Sequence, residues 1–292
     1  MAANSPSRIF TQHARIFESN RFVYPVISRR SGGLSIGINL NPDKICNFGC
    51  VYCQVDRSLA GVTRFVELER LQHELAELLA AAARGDLARH PQFANVAPDQ
   101  QLLKDLAFSG DGEPTSHRNF DEVVAACAEL KQRLVPESVK MVLITNASLL
   151  DRPHVVRALE RLDRNQGEIW AKLDAGTEAF FRRVNRSRLP LQRIVDNIRQ
   201  TAQQRPLVIQ SLFFRLAGEA PESAELDAYC QRLRAILAGG GQLKAVQVYT
   251  VARRPAESKV GALQDSEVDA IAERVRQRTG IPTVAYYGCD FT

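Results

Sequence analysis

The chain has 292 residues, of which 45% are hydrophobic and 24% are charged, a composition typical of a folded globular protein and not of a disordered one. Its formal net charge of +5 permits an anionic partner without requiring one. No run approaches the roughly 20 apolar residues that span a bilayer, and residues 1–21 are polar, unlike a secretory signal. We therefore expect a cytoplasmic protein, whose cysteines suit metal binding or catalysis better than disulfides.

Short apolar runs alternate along the chain with longer segments of helical periodicity. The predicted strands are Leu34–Leu40, Asp105–Ser109, Lys140–Thr145, Glu168–Asp174, Leu207–Phe214 and Lys244–Thr250. The predicted helices are Leu68–Arg84, Phe120–Leu134, Arg152–Arg164, Leu191–Gln204, Ala224–Leu237 and Asp265–Arg278. Near-continuous apolar strands are typical of a parallel sheet that is covered on both faces. Six strand–helix units are two fewer than a closed barrel needs, so the pattern predicts an α/β fold, a partial (β/α)6 TIM-like barrel.

The same pattern suggests three regions along the chain. Residues 1–33 read as an N-terminal arm, residues 34–279 as the barrel core, and residues 280–292 as a C-terminal tail that adds a further short strand. No internal repeat and no low-complexity linker divides the core.

Three of the six cysteines lie together directly after the first predicted strand. Cys46, Cys50 and Cys53 have the spacing C-x3-C-x2-C, and barrel folds carry their active sites in the loops at the carboxyl ends of strands. Thiolates are the usual ligands of iron–sulfur clusters, and three of them leave one iron of a four-iron cluster open to a small molecule. Zinc is the alternative interpretation, but structural zinc sites take four ligands and no second cysteine pair follows here.

This cysteine motif, with Tyr52 as its aromatic residue, resembles the signature of the radical S-adenosylmethionine (radical SAM) superfamily. The resemblance implies a 4Fe-4S cluster whose open iron chelates S-adenosyl-L-methionine. It also implies reductive cleavage of that cofactor to a 5′-deoxyadenosyl radical, which abstracts hydrogen from the substrate. The cofactor then supplies the chemistry and the protein positions it, while an external electron donor of flavodoxin or ferredoxin type supplies the electron.

A second turn fits the same resemblance. Gly112, Glu113 and Pro114 follow the second predicted strand and match the glycine–glutamate–proline turn of the superfamily, which implies a contact with the amino group of the methionine moiety. A carboxylate pairs well with an ammonium group. An ordinary glycine-rich turn before the next helix is the simpler reading of the same residues.

Further cofactor contacts are implied after the later strands, at Asn146, Asp174 and Ser211. Asn146 suits a helix cap equally well, and Ala147 stands where the superfamily has glycine. Lys172 and Asp174 share one side of their predicted strand, so a Lys–Asp ion pair is the alternative to a cofactor contact there.

The wider sequence is similar to the iron–sulfur oxidoreductase branch related to the enzymes that form the wyosine base of tRNA. The similarity rests on residues 35–39, on Lys172 to Asp174 and on residues 181–186. The wyosine enzymes carry further cysteines for a second cluster, whereas no cysteine precedes Cys46. The relation therefore does not carry their reaction to this chain.

Arginines gather at several points of the sequence: Arg182, Arg183, Arg186 and Arg188, with Arg29, Arg30, Arg253 and Arg254 elsewhere. Arginine suits phosphate recognition, so these side chains could bind RNA or an anionic small molecule, or form solvated helix faces. Two alternatives to a radical SAM enzyme of unspecified substrate stay open. One is a tRNA base-modifying member, and the other is a cluster-binding electron-transfer or sensing protein that does not cleave the cofactor. The sequence assigns no role to Cys289.

Overall fold

The computed structural model describes residues 15, 17–61, 63 and 65–288, so Cys289 lies outside the described residues. The strands are β1 Val23–Ser28, β2 Gly33–Ile38, β3 Leu103–Phe108, β4 Lys140–Thr145, β5 Gly167–Lys172, β6 Leu207–Leu212, β7 Arg215–Leu216, β8 Leu243–Tyr249, β9 Val260–Gly261 and β10 Thr283–Tyr286. The helices are α1 Leu68–Arg84, α2 Phe120–Leu134, α3 Pro153–Asp163, α4 Glu178–Asn185, α5 Leu191–Gln204, α6 Ser223–Ala238 and α7 Asp265–Thr279. Three short 3-10 helices cover Asp86–Arg89, Pro98–Gln101 and Pro114–Ser116.

Eight of the strands form one curled sheet in the order β1-β2-β3-β4-β5-β6-β8-β10. The β1–β2 pair is an antiparallel hairpin, and every other neighbouring pair is parallel. The sheet is open, because no pairing joins β1 to β10 among the described residues. The predicted partial barrel with a parallel sheet is therefore confirmed, and its six predicted strands and six predicted helices are all present.

The differences from the sequence-based prediction lie at short elements. The strand β1 falls in the expected N-terminal arm, where it pairs along the whole of β2, and β10 is the further strand expected in the tail. The sequence predicts only an arginine cluster where the structure has the helix α4, since eight residues are too few for a clear helical period. Its first turn is capped by Thr177, whose hydroxyl accepts a hydrogen bond from the Phe180 amide at 3.2 Å.

The sheet buries side chains on both of its faces. Its convex face packs against the helices in one large apolar core. On the concave face, the register aligns Trp170 with Val208 and Lys172 with Gln210 on the neighbouring strand. Trp170 packs there in a small apolar cluster with Ala107, Val142 and Val208, so polar residues face the space above it. Among the described residues, no helix combines the length and the apolar character that crossing a membrane would need.

The start of β1 is held by one buried carboxylate from α1. Glu74 accepts hydrogen bonds from the amides of Arg21 at 2.9 Å, Phe22 at 2.8 Å and Val23 at 3.2 Å. The same carboxylate pairs with the Arg70 guanidinium at 2.8 Å. Because buried donors without acceptors are costly, this one side chain fixes the edge strand against the first helix.

We predict that Glu74→Ala lowers the free energy of unfolding by about 3 kcal/mol, because three amides and one guanidinium lose their acceptor. Urea denaturation measures this change, and hydrogen exchange should accelerate at residues 21–23. The matched control is Glu77→Ala one turn later, where an exposed carboxylate pairs only with the exposed His73. That substitution should change stability by no more than about 0.5 kcal/mol. Equal effects of the two substitutions would show that Glu74 does not anchor β1.

Candidate active site

A cavity of about 320 Å³ lies at the carboxyl-terminal edge of the sheet and is lined by residues that follow β2, β3, β4, β5 and β8. The strands are parallel, so their carboxyl ends meet at one edge, as in barrel enzymes. All three clustered cysteines line this cavity, together with Glu113, Asn146 and Asp174. Residues that are up to about 130 positions apart in the chain are therefore brought into one site.

The cysteine loop is tied to two other parts of the molecule. The Gly49 amide donates to the Asn185 carbonyl at 3.1 Å, and the Val51 amide donates to the Val184 carbonyl at 2.9 Å, which joins the loop to the end of α4. Asn47, inside the motif, accepts from Asn146 at 2.8 Å and donates to Ser148 at 2.7 Å. The loop is thus held on the turn after β4 as well as on α4.

The cysteines are free and half-buried, and two of them accept hydrogen bonds from side chains. The Asn185 amide lies 3.6 Å from the Cys50 sulfur, and the Arg57 guanidinium lies 3.5 Å from the Cys53 sulfur. Burial raises the pKa of the Cys50 thiol to about 12 and also raises the pKa of Cys46. Metal binding at these thiols would therefore release protons.

The number of clustered cysteines bears on the kind of metal group they could hold. A structural zinc site takes four protein ligands around one ion, and among the residues that the structure describes no group of three or more His, Cys, Asp or Glu side chains has a metal-binding arrangement. In a four-iron cluster each thiolate binds a different iron, so three thiolates suit such a cluster and leave one iron open.

Glu113 has more hydrogen bonds than the sequence indicates. Its carboxylate is buried and accepts from the Thr115 amide at 3.2 Å, from the Thr115 hydroxyl at 2.5 Å and from the Thr145 hydroxyl at 2.6 Å. Its other oxygen accepts from the Asn146 amide at 2.7 Å. Burial raises the pKa of Glu113, although these four donors oppose the shift. The carboxylate therefore joins the turn after β3 to the turn after β4.

Gly112 and Ala147 shape these two turns. A side chain at Gly112 would collide with the Ile45 carbonyl and approach the Asn41 side chain to 2.7 Å, so only glycine lets the turn pass beside the cysteine loop. Ala147 adopts the left-handed conformation, with φ of 62°, that glycine would take more easily. Hydrogen bonds from its amide to Thr145 at 3.0 Å and from Asn197 to its carbonyl at 2.8 Å hold it there.

Asp174 lies at the centre of a buried polar network. Its carboxylate accepts from the Tyr52 hydroxyl, from Asn185 at 3.2 Å, and from the Leu212 amide at 2.9 Å. It also pairs with the Lys172 ammonium at 3.3 Å. The sequence-based alternative of a Lys–Asp pair is therefore present, and it links the aromatic residue of the cysteine motif to the concave face of the sheet.

This network favours the charged form of Lys172. Its ammonium donates to the Tyr249 hydroxyl at 2.7 Å and lies 5.2 Å from the ring centres of Tyr52 and Tyr249. Burial alone would lower the pKa of Lys172, but the Asp174 carboxylate and the Tyr249 oxygen raise it above its ordinary value. An ammonium cannot act as a nucleophile, so this lysine offers charge and hydrogen bonds.

The structure does not bring Ser211 to the cavity. Its hydroxyl bonds to the Leu173 carbonyl and to the Tyr229 hydroxyl, each at 2.6 Å, on the convex face of the sheet. Strand alternation turns its neighbours Gln210 and Leu212 inward instead, and both line the cavity. The structure therefore places Ser211 outside the cavity lining, and places the adjacent Gln210 in it.

The arginine cluster that follows β5 lies outside the cavity lining. Arg182 pairs with Glu178 at 2.6 Å, and Arg186 pairs with Glu257 at 2.5 Å. Both guanidinium groups therefore have carboxylate partners of their own. The arginines that line the cavity are instead Arg15, Arg29, Arg30, Arg57 and Arg253.

Residues 40–212 of the chain match the family model described as the radical SAM superfamily. The chain belongs to the radical SAM superfamily. This membership confirms the family resemblance of the cysteine motif and the predicted class of enzyme, with the substrate left open.

Several characterised or named proteins are similar to this member. It is 28% identical to the UPF0026 protein slr1464 of Synechocystis over 211 residues, which cover 70% of this chain and 69% of that protein. It is 29% identical to the UPF0026 protein MJ1312 of Methanocaldococcus jannaschii over 162 residues, and 23% identical to a GTPase Obg of Brachyspira hyodysenteriae over 257 residues. The chain spans only 43% and 33% of the lengths of the latter two proteins.

Two solved structures share the fold. A mutant of spore photoproduct lyase superposes with a TM-score of 0.57 at 10% identity, covering 92% of this chain and 80% of that one. A structure of TYW1 with a lysine–pyruvate adduct superposes with a TM-score of 0.50 at 15% identity, covering 84% of this chain and 74% of that one. At these identities the likeness establishes the partial barrel and not the reaction.

Asp174→Asn should make Lys172 reactive, because loss of the carboxylate leaves burial as the dominant influence, and burial lowers the pKa of a lysine. We expect reductive methylation of Lys172 at pH 9 to proceed at least about tenfold faster in the variant, since one pKa unit changes the free-amine fraction tenfold. Peptide mass spectrometry measures the rate.

The exposed Lys244 is the internal control, since its partner Glu168 lies at the start of β5 whereas Asp174 follows the end of that strand. Its methylation rate should be equal in the two proteins. An unchanged Lys172 rate in a folded variant, checked by circular dichroism, would mean that Asp174 does not set the charge of this lysine.

Proposed function

We propose that this protein holds a 4Fe-4S cluster on Cys46, Cys50 and Cys53 and uses it to cleave S-adenosyl-L-methionine reductively, with the resulting 5′-deoxyadenosyl radical abstracting hydrogen from a substrate. One observation carries the proposal. In a chain of the radical SAM superfamily, three free thiols line the same cavity as the Gly112–Pro114 and Asn146 turns. The cluster and the cofactor would supply the one-electron chemistry, and the chain supplies the site.

The thiols are supported by donors that suit sulfur bound to iron. Asn185 and Arg57 approach Cys50 and Cys53 at 3.6 Å and 3.5 Å. Hydrogen bonds to cluster sulfurs tune the reduction potential of a cluster, and side chains that donate to its ligands hold those ligands in place. Arg57 also donates to the Lys44 carbonyl, which fixes its guanidinium beside the cysteine loop.

The methionine end of the cofactor would meet the turn Gly112–Pro114. Four donors already occupy the Glu113 carboxylate, so we assign it two roles. It orients the turns that carry Pro114 and Asn146, and it provides a buried negative charge toward which an ammonium group is drawn. Asn146, Tyr52 and Asp174 remain the proposed polar contacts along the same wall of the cavity.

A lysine adduct is not part of this proposal, although the structurally similar TYW1 contains one with pyruvate. Lys172 is the one lysine that lines the cavity among the described residues, and Asp174 and Tyr249 keep it as an ammonium. Imine formation requires a free amine. We therefore do not propose a lysine–pyruvate adduct, as in TYW1, at Lys172.

The electron for cleavage would come from a partner protein. Cys127 and Cys230 are buried inside α2 and α6, away from the cysteine loop, so the described residues provide no second cysteine set. We propose a flavodoxin- or ferredoxin-like donor, and a reducing cytoplasm as the compartment. The cavity of about 320 Å³ beside the cysteines disfavours the alternative of a simple electron carrier, which needs no cofactor-sized pocket.

Anaerobic reconstitution with iron and sulfide tests the proposal. We expect about four irons and four sulfides per chain, and the reduced protein should release 5′-deoxyadenosine from S-adenosyl-L-methionine. Cys46→Ala, Cys50→Ala and Cys53→Ala should each abolish this product, because a cluster with two protein ligands is not retained. Liquid chromatography with mass spectrometry measures the product.

Cys230→Ala is the matched control, because it removes a buried thiol that does not line the cavity. It should keep both the iron content and the product. Stoichiometric zinc, or a full cluster that yields no 5′-deoxyadenosine under any reductant, would overturn the proposal. A full cluster without cleavage would specifically favour an electron-transfer or sensing role.

A further inference from the structure

We infer that Arg30 and Arg253 form a subsite that binds an oxyanion group, a phosphate or a carboxylate, of the substrate. The inference deepens the proposed function, because it takes the cavity beside the cysteine loop as the place where the substrate binds. It assigns a chemical class to a substrate that neither the cysteine motif nor the family specifies.

The cavity has an excess of positive charge. Its described lining contains six basic side chains, which are Arg15, Arg29, Arg30, Arg57, Lys172 and Arg253. Only three acidic side chains line it, which are Asp111, Glu113 and Asp174. A concave site with cations in surplus concentrates anions from solution.

The three carboxylates are already engaged. Asp111 pairs with Arg15 at 2.6 Å and accepts from the Asn39 amide at 2.7 Å. Glu113 accepts four hydrogen bonds, and Asp174 pairs with Lys172 and accepts from Tyr52 and Asn185. None of them is left to neutralise a further arginine.

Three of the six basic groups contact a carboxylate or a sulfur, and Arg29 donates to the Tyr287 carbonyl. Arg15 pairs with Asp111, Lys172 pairs with Asp174, and Arg57 lies against the Cys53 sulfur. Within the part of the chain that the structure describes, Arg30 and Arg253 make no ion pair with a carboxylate. Both are half-buried, so water screens them less than it screens a surface arginine.

The two arginines reach the cavity from opposite edges of the open sheet. Arg30 lies in the turn between β1 and β2 and stacks on Tyr249, with its guanidinium 4.8 Å from the ring centre and 6.0 Å from that of Trp170. Arg253 follows β8, where its carbonyl accepts from Gln54 at 3.2 Å. The neighbouring Arg29 donates to the Tyr287 carbonyl after β10, which holds the turn across the gap.

Arg30 and Arg253 line the same cavity with charges of the same sign. Burial, together with the positive charges of Arg15, Arg30 and Arg29, lowers the pKa of Arg253 to about 10. An anion placed between the guanidinium groups would remove this repulsion. Guanidinium groups bind phosphate and carboxylate through paired hydrogen bonds, and the stacked ring of Tyr249 limits the orientations that Arg30 can take.

The position of the two arginines in a cavity wall favours a small anionic molecule over an RNA backbone. A nucleic-acid surface presents arginines in rows that are open to solvent, whereas these two guanidinium groups lie in the wall of a cavity of about 320 Å³. Trp170, Tyr249 and Gln210 line the same side, so an anionic substrate would meet aromatic and amide groups beside its charged end.

The subsite is tested by isothermal titration calorimetry of the reconstituted full chain. The protein is saturated with S-adenosyl-L-methionine and kept free of reductant. Pyrophosphate represents substrates with a phosphate group, and malonate represents substrates with a carboxylate group. The anion that binds more tightly identifies the class of the substrate. We expect saturable binding of one of them that Arg253→Gln and Arg30→Gln each weaken at least about tenfold. Arg253→Lys should bind with an intermediate affinity, because it keeps the charge and loses the paired geometry.

Arg254→Gln is the matched control, since the adjacent arginine is exposed and does not line the cavity. It should bind within about twofold of the wild type. Absence of saturable binding by both anions, or equal weakening by Arg253→Gln and Arg254→Gln, would overturn the inference. Thermal unfolding checks that the variants are folded.

Anion binding is measured without cofactor cleavage, so a failure of this test can be told apart from a failure of the proposed function. A protein that fails to release 5′-deoxyadenosine can still bind pyrophosphate or malonate, which would leave an anion site in a protein of different activity. If the protein cleaves the cofactor but binds neither anion, only the inferred class of substrate is refuted, and the proposed function stands.

Discussion

The buried carboxylate of Glu113 is the interaction on which the arrangement of the site depends. It accepts from two hydroxyls and two backbone amides that belong to the turns after β3 and β4. Asn146, held by this carboxylate, in turn bonds to Asn47 inside the cysteine motif. The cysteine loop and the two turns are therefore one hydrogen-bonded unit, and its geometry does not depend on any single loop being rigid.

The sheet provides the frame for that unit. Because these strands are parallel, the carboxyl ends of β2, β3, β4, β5, β6 and β8 lie at one edge of the sheet. Trp170 and its apolar neighbours fill the concave face below them. Polar residues such as Lys172 and Gln210 then face the remaining space. Each strand ends in a loop that contributes one part of the site, so the chemistry is divided among distant segments of the sequence.

The sequence predicts the strands and helices well because their signals are local. A near-continuous apolar run such as Leu207–Leu212 and a periodic segment such as Leu191–Gln204 can each be read without knowledge of the fold. The same holds for the cysteines, whose spacing is a local pattern. The short helix α4 gave no such signal, although its last residue, Asn185, reaches into the site.

Long-range information was the part that the sequence could not provide. Ser211 and Gln210 are adjacent polar residues, and only the register of β6 decides which of them faces inward. Likewise, Arg29 and Arg30 lie more than 200 residues before Arg253 in the chain, and their approach to it follows from the curl of the sheet, which brings β1 opposite β10. Arg182 and Arg186, which cluster in the sequence, instead pair with carboxylates outside the cavity.

Asn185 gives the site a property that its individual contacts do not suggest. A single side-chain amide lies 3.6 Å from the Cys50 sulfur and 3.2 Å from the Asp174 carboxylate. Asp174 holds Lys172, and Lys172 holds Tyr249, on which Arg30 stacks. The Cys50 sulfur and the Arg30 guanidinium, which lie on different elements, are therefore joined by a continuous series of side-chain contacts.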